Sequence, residues 1–512
     1  MTIYAKISQF VNINEKNMFI FVYMRRHLVY MRKHLNILLA VTAVNILLSF
    51  PLFSLAQKNP GQSPFPKPKN VIIMIGDGMG FNCVKAADYF YGPMQFEAFP
   101  VRVASATYPA KSGSSDDRDS SKLTWATGYN PSLAWKDSAY LHRDFTESAA
   151  AATALATGRK TYNNVIGLSV NNDTLTNLCE LAKSLRKSAG VITSVPFSHA
   201  TPAGFVAHNK SRSHYPELAE YMLFSSRCDL IMGCGNPEYD DNGKLMPGNW
   251  KSSKYVADSN LWLSLKSGSG IQTSFIVNDK IYNVKDVDFD RNPDPWTVIT
   301  SEKDFSKLMS GKTPKRVLGI PEVYSTLQQA RDLGKNETKD SPPSASLLNQ
   351  NLPSLAEMVK GGLNVLDNNP KGFFLMIEGG AIDWANHSNQ KGRMLEEMKS
   401  FNDAVDTVIN WVNKNSNWNE TLLIVTADHE SGDLWGGATF TPVKDKGLTV
   451  MPGLKYNSTN HTNALVGIWA KGAGDEMYNL MAGEMDPVRG LFIQNTAIPQ
   501  LIFMMWGKPS TF

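Results

Sequence analysis

Cysteine is scarce in this 512-residue chain, with only Cys83, Cys179, Cys228 and Cys234 present. Four thiols cannot frame a fold of this size, so stability must come from a buried core, which a chain of this length can supply. Cys228 and Cys234 bracket an apolar run that reads as a strand. At about 3.3 Å per residue the two lie roughly 20 Å apart, well beyond the ~7 Å between Cα atoms that a disulfide tolerates. The thiols are therefore expected to be free or partly buried. Excess charge is scarce too. The formal net charge is +4, but residues 1–56 hold six Lys/Arg against Glu15. Removing that +5 leaves −1 for residues 57–512, which gives no basic surface for nucleic acid or membrane. Internal repeats and low-complexity bias are absent, excluding solenoids and propellers.

Long hydrophobic runs are limited to residues 35–53, which follow the basic Met31-Arg32-Lys33-His34 and precede Ser54-Leu55-Ala56. That order reads as a signal peptide over residues 31–56, with Gln57 as the mature N-terminus and residues 1–30 as an over-extended start. No cysteine follows the run, so no lipoprotein anchor is expected. The chain is expected to be exported, periplasmic or secreted, without stable membrane insertion of the mature part. An N-terminal anchor is the rival, interrupted by Pro51.

Residues 57–69 read as a linker and 70–512 as one domain. Short, continuous apolar runs at 70–75, 190–195, 229–233, 373–377 and 421–426 have the character of strands buried on both faces. Helical stretches at 148–157, 174–188, 215–226, 354–366 and 393–414 alternate with them. Further strands are expected at 101–107 and 464–469 and an amphipathic stretch at 498–505. The alternation predicts an α/β fold, a three-layer sandwich with a central, mostly parallel sheet flanked by helices on both faces. Residues 235–353 break the rhythm with Asp/Asn/Gly/Ser/Pro clusters and short β-like runs at 273–277 and 296–300. They are expected to form an inserted cap.

Polar residues fall where such a sheet would place a ligand crevice. Asp77, Thr201, Glu378 and Asp428-His429 each follow an apolar strand, at the carboxyl edge of the predicted sheet. Asp383 and His387 stand four residues apart, on one face of a helix, a spacing that can grip one metal ion. His461 lies in a polar loop before a strand and offers a further imidazole. Ser148 heads the Ala-rich run 148–157, where a helix N-terminus favours an anion. Gly78 and Gly80 permit a tight turn beside Asp77, but no Gly-x-Gly-x-x-Gly opens a helix, which disfavours a dinucleotide site.

Taken together, Asp77-Gly78-Met79-Gly80, Glu147-Ser148-Ala149-Ala150-Ala151-Ala152, His199-Ala200-Thr201-Pro202 with Arg212, Glu378-Gly379-Gly380-Ala381-Ile382-Asp383 with His387, Asp428-His429 and His461-Thr462 resemble the alkaline phosphatase family in order and spacing. The resemblance spans about residues 70–505 and fails mainly at 111–143 and 235–353. It implies a phosphoric monoester hydrolase whose catalytic domain covers 70–512, with small-molecule phosphate monoesters as substrates. One Zn2+ would be held by Asp383, His387 and His461, and a second by Asp77, Asp428 and His429 with Ser148 as nucleophile. One Mg2+ would be held by Asp77, Thr201 and Glu378, and Arg212 would clamp the phosphoryl oxygens. Around the site, Glu147 replaces the family's common Asp, one methylene shorter, and His199 and Trp384 occupy positions that vary among members. A homodimer is a further implication. A phosphodiesterase or sulfatase of the same superfamily is the neighbouring alternative. Ser148 lacks the Cys/Ser-x-Pro-x-Arg setting of sulfatases, and Thr201 with Glu378 completes a magnesium set that diesterases generally lack. A non-catalytic exported phosphate-binding protein is the alternative of a different class.

Overall fold

Strand β1 (Asn70–Gly76) lies at the middle of an eleven-stranded sheet in the computed structural model, which describes residues 66–112 and 122–508. The expected signal segment lies outside the described residues. We number the other strands of this sheet β2 (Val101–Ala106), β3 (Ser188–Pro196), β4 (Leu230–Cys234), β5 (Thr297–Ile299), β6 (Val317–Gly319), β7 (Phe373–Gly379), β8 (Thr421–Ala427), β9 (Val466–Gly472), β10 (Glu484–Asp486) and β11 (Gly490–Gln494). Their order is β10-β11-β2-β9-β8-β1-β7-β3-β4-β6-β5. From β8 to β5 every pairing is parallel, and β9 runs antiparallel to both β8 and β2. The expected α/β sandwich with a mostly parallel sheet is the observed fold.

The register follows from the apolar runs. All seven residues of β1, β7 and β8 are buried. Ile75 pairs with Glu378 on one side and Thr426 on the other, so the three strands end level. At their other end Asn70 is buried and ties the strands together, donating to Thr421 Oγ1 at 3.1 Å and accepting from Phe373 N at 3.3 Å. Side chains alternate along β7. Phe373, Leu375 and Ile377 join the core beneath α6 (Leu355–Leu366) and α8 (Lys391–Asn415). Phe374 stacks instead on Phe205 of α4 (Ala200–Val206), on the opposite face. Period two then puts Glu378 on the α4 face, the side that carries Thr201.

Other helices around the sheet include α1 (Phe81–Tyr91), α2 (Ser148–Thr157), α3 (Leu178–Ser184), α5 (Tyr215–Glu220), α7 (Ala381–His387) and α9 (Ala497–Met505). α3 is shorter than the stretch expected at 174–188. The capping box of Asn177 and Glu180 sets its start, and Ser188 already belongs to β3. α5 runs on into a π-helical turn at Tyr221–Ser225. The four cysteines are buried and free. Among the described residues no helix is long and apolar enough to cross a membrane.

Within residues 235–353, β5 and β6 extend the sheet beyond β4. A stretch near residues 329–340 is strapped to the start of α8. Arg393 meets Glu337 at 2.6 and 3.0 Å, and Arg331 meets Glu396 at 2.9 Å.

Helix α2 is buried throughout and lies against α4 because both carry small residues. A Cβ at Gly204 would stand 2.7 Å from Ala152 Cβ and 3.2 Å from its carbonyl carbon. Gly204→Val is therefore expected to cost about 2 kcal/mol by overpacking. Urea denaturation checks this, and an unshifted midpoint would contradict the close approach.

Candidate active site and metal centre

The level ends of β1, β7 and β8 bring Asp77, Glu378, Asp428 and His429 to one rim. Asp77 leaves β1 through Gly78, at φ +69°, where a side chain would meet Asp383 Oδ1 and Ser431 Oγ at 2.9 Å. Glycine is required there both for the left-handed turn and for room. Gly78 N in turn donates to Asp428 Oδ1 at 3.0 Å. Thr201 enters from α4, Asp383 and His387 from one face of α7, and His461 from a short strand paired with Ser431. Every metal ligand expected from the sequence is thus in one place.

Three imidazoles converge there with fixed tautomers. His387 Nδ1 faces Thr459 O at 2.5 Å and His461 Nδ1 faces Thr146 O at 2.9 Å. A carbonyl only accepts, so both rings donate from Nδ1, and their Nε2 atoms face each other 3.0 Å apart. Ser431 Oγ donates to Asp383 Oδ1 and so accepts from His429 Nδ1 at 3.3 Å. That leaves His429 Nε2 facing Asp428 Oδ2 at 3.0 Å and Asp77 Oδ1 at 3.5 Å. The Asp383 carboxylate completes the other side, 3.2 Å from His387 Nε2 and 3.5 Å from His461 Nε2.

Imidazole nitrogens crowded against one another and against carboxylates favour added positive charge, whether from protons or from metal ions. Two sets of ligand atoms lie within 4.8 Å of one another, Asp77–Asp428–His429 and Asp383–His429–His461. Asp77 Oδ1, Thr201 Oγ1, Glu378 Oε1 and Asp428 Oδ2 are buried without a hydrogen-bond partner. Such atoms are costly unless something else satisfies them. Burial, followed by the charges of Asp428, Asp383 and Glu378, pushes the Asp77 carboxyl well above its ordinary value. Burial chiefly pushes Glu378 up to about 7. Against the opposing effect of burial, the Asp383 hydrogen bond raises His387 to about 9. The site draws positive charge, and the residues fit divalent ions: imidazole and carboxylate suit zinc, and the all-oxygen set of Asp77, Thr201 and Glu378 suits magnesium. A third acidic group, Asp286, Asp288 and Asp294, already has a cation in Lys315, at 2.5 Å from Asp288 and 3.6 Å from Asp294.

Ser148 is the first residue of α2, and its Oγ lies 3.3 Å from His429 Nε2. Glu147 caps that helix, accepting from Ala149 N at 3.0 Å and Ala150 N at 2.9 Å. Its carboxylate also holds Arg212 Nη1 at 2.5 Å. One carboxylate thus does both. Opposed by burial, Arg212 holds the Glu147 carboxyl below its ordinary value, aided by the backbone N–H groups. His199 Nδ1 lies 3.5 Å from Arg212 Nη2. Burial, then Arg212, with a smaller contribution from Lys254, holds His199 down at about 3, so its ring is neutral. Trp384 meets that ring edge-on at 5.6 Å.

These groups open onto a cleft of about 380 Å³ lined by Ser148, His199, Arg212, Asp383, Trp384 and His461, with Gln329 from the insertion on its wall. Sequence reasoning missed Gln329, along with Thr193, which donates to Glu378 Oε2, and Ser431. Ser431 sits two residues after His429, a proximity that could have marked it. Gln329 carries no local signal.

Loss of the Glu147 cap in Glu147→Ala is expected to cost about 1–2 kcal/mol. Because the carboxyl is held below its unfolded value of about 4.5, this contribution is present above that pH and shrinks as acid protonates the group. Denaturation of both proteins across pH checks it, and a gap that widens in acid would contradict it.

The alkaline phosphatase family model matches residues 68–488. Alkaline phosphatase 4 of Bacillus subtilis is 28% identical over 375 residues, covering 72% of this chain and 63% of that protein. This chain therefore spans less than two thirds of the length of that relative. Alkaline phosphatase of Escherichia coli is 26% identical over 385 residues, covering 70% of each. Among solved structures, a variant of TAB5 alkaline phosphatase with magnesium bound shares the fold. It has a TM-score of 0.57 and 21% identity, over 86% of this chain and 99% of that one. A match over most of the chain, joined to the geometry above, places it in the alkaline phosphatase family.

Proposed function

We propose that this chain hydrolyses phosphate monoesters to an alcohol and inorganic phosphate, through a phosphoserine at Ser148, with two zinc ions and one magnesium ion. The observation that carries the reading is the convergence of four buried carboxylates and three imidazoles beside the cleft that holds Ser148 and Arg212. One zinc is assigned to Asp383, His387 and His461, the other to Asp77, Asp428 and His429, and magnesium to Asp77, Thr201 and Glu378. Magnesium bound to the TAB5 relative supports the divalent requirement. When bound, the ions supply the positive charge that lowers the serine hydroxyl's pKa and offsets charge on the departing oxygen.

Ser148 Oγ forms the bond to phosphorus as the ester's P–O bond breaks and the alcohol departs. Water then cleaves the phosphoserine, returning the serine and releasing phosphate. Arg212, oriented by Glu147, offers its planar fork to two non-bridging oxygens throughout. Neutral His199 leaves the positive charge at that wall on the guanidinium. The buried helix N-terminus at Ser148 adds its dipole. Export, from the 31–56 segment, and a homodimer, from the family resemblance, belong to the same proposal.

Ser148→Ala should lower kcat for an aryl phosphate at least about a hundredfold and abolish acid-stable phosphate labelling of the protein. Retained labelling would refute the nucleophile. Asp77→Ala should be more damaging than Thr201→Ala, since it removes a ligand assigned to two ions, and equal losses would count against the bridge. A panel of aryl phosphate, bis-aryl phosphate and aryl sulfate separates the rival activities, and dominance of either of the last two would overturn the assignment.

A further inference from the structure

Behind His199, which lines the cleft, a run of aromatic rings leads to a lysine. His199 stacks on Tyr215 with centroids 5.9 Å apart and planes at 15°. Tyr215 meets Tyr255 edge-to-face at 4.9 Å. Lys254 Nζ stands over both rings, 5.0 Å from the centroid of Tyr215 and 4.7 Å from that of Tyr255. The short turn that carries it, Ser253–Val256, is pinned to the catalytic rim because Ser198 Oγ, next to His199, donates to Tyr255 O at 3.1 Å. Tyr255 is buried, whereas Tyr215 and Lys254 are half-buried. The ammonium is therefore held on a fixed aromatic shelf rather than free in solvent.

Its charge is also unspent. Elsewhere in the insertion Lys266 pairs with Glu238, Lys280 with Glu220 and Lys315 with Asp288. Among the described residues no carboxylate pairs with Lys254. Stacking on aromatic faces strips part of its hydration without cancelling its charge. An anion arriving from the cleft would find a cation that needs a partner.

We propose that Lys254 forms a second anion subsite, which selects esters whose alcohol half carries its own negative group, a carboxylate or a second phosphoryl group. The inference rests on the monoesterase reading above. Arg212 addresses the reacting phosphoryl group, and Lys254, reached from His199 across the Tyr215 ring, addresses the far end of the substrate.

The test uses the full chain with its metals and a matched pair of esters, phenyl phosphate and carboxyphenyl phosphate. The readout is the ratio of their kcat/KM values. In Lys254→Gln the preference for the carboxylated ester should fall about fivefold, and Lys254→Arg should restore it. Inhibition by inorganic phosphate, which has no second group, should not shift. An unchanged ratio, equal losses on both esters, or a matching shift in phosphate inhibition would overturn the subsite while leaving the monoesterase reading intact. A wild-type protein inactive on both esters would overturn that reading, and the subsite with it.

Discussion

Asp77, Glu378, Asp383 and Asp428 are buried together with three imidazoles whose Nε2 atoms face carboxylates, and the rest of the structure depends on that concentration of acidic groups. Burial of one unpaired carboxylate is already costly. Four of them persist in charged form only where cations compensate. The imidazole orientations set by Thr459, Thr146 and Ser431, the orphaned oxygens and the glycine at position 78 all keep room and direction for positive charge beside that cluster.

The sheet supplies the convergence. Three central strands with continuous apolar runs end level, so whatever follows each run is delivered to the same rim. Alternation along β7 then decides that Glu378 points to the side of Thr201 and not into the core under α8. Helix α2 approaches closely enough to present Ser148 because it and α4 are made of small residues. Stability and chemistry share these contacts. The packing of Gly204 on Ala152 that seats the helix also aims the serine.

Most of this was legible in the sequence, for physical reasons. A polar residue directly after a buried parallel strand has few places to go except the carboxyl edge, which is why Asp77, Glu378 and Asp428 could be named. Asp383 and His387 share a helix face by spacing alone. Glu147 was legible as a departure from the family pattern, but not in its consequence. Only the structure shows the longer arm reaching two backbone N–H groups and Arg212 together. Gln329 and Lys254 were not legible at all. Gln329 reaches the cleft, and Lys254 its surroundings, through an insertion held by contacts such as Arg393 with Glu337, 56 residues apart, and no local periodicity reports such a contact. The boundaries of α3 were misjudged because the Asn177 capping box outweighed the helical pattern on either side of it.

The central claim is that the rim is a multi-cation site. Its most direct measurement is elemental analysis of purified, fully active protein. The account predicts two zinc ions and one magnesium ion per chain. Full activity in protein without stoichiometric divalent metal would contradict it.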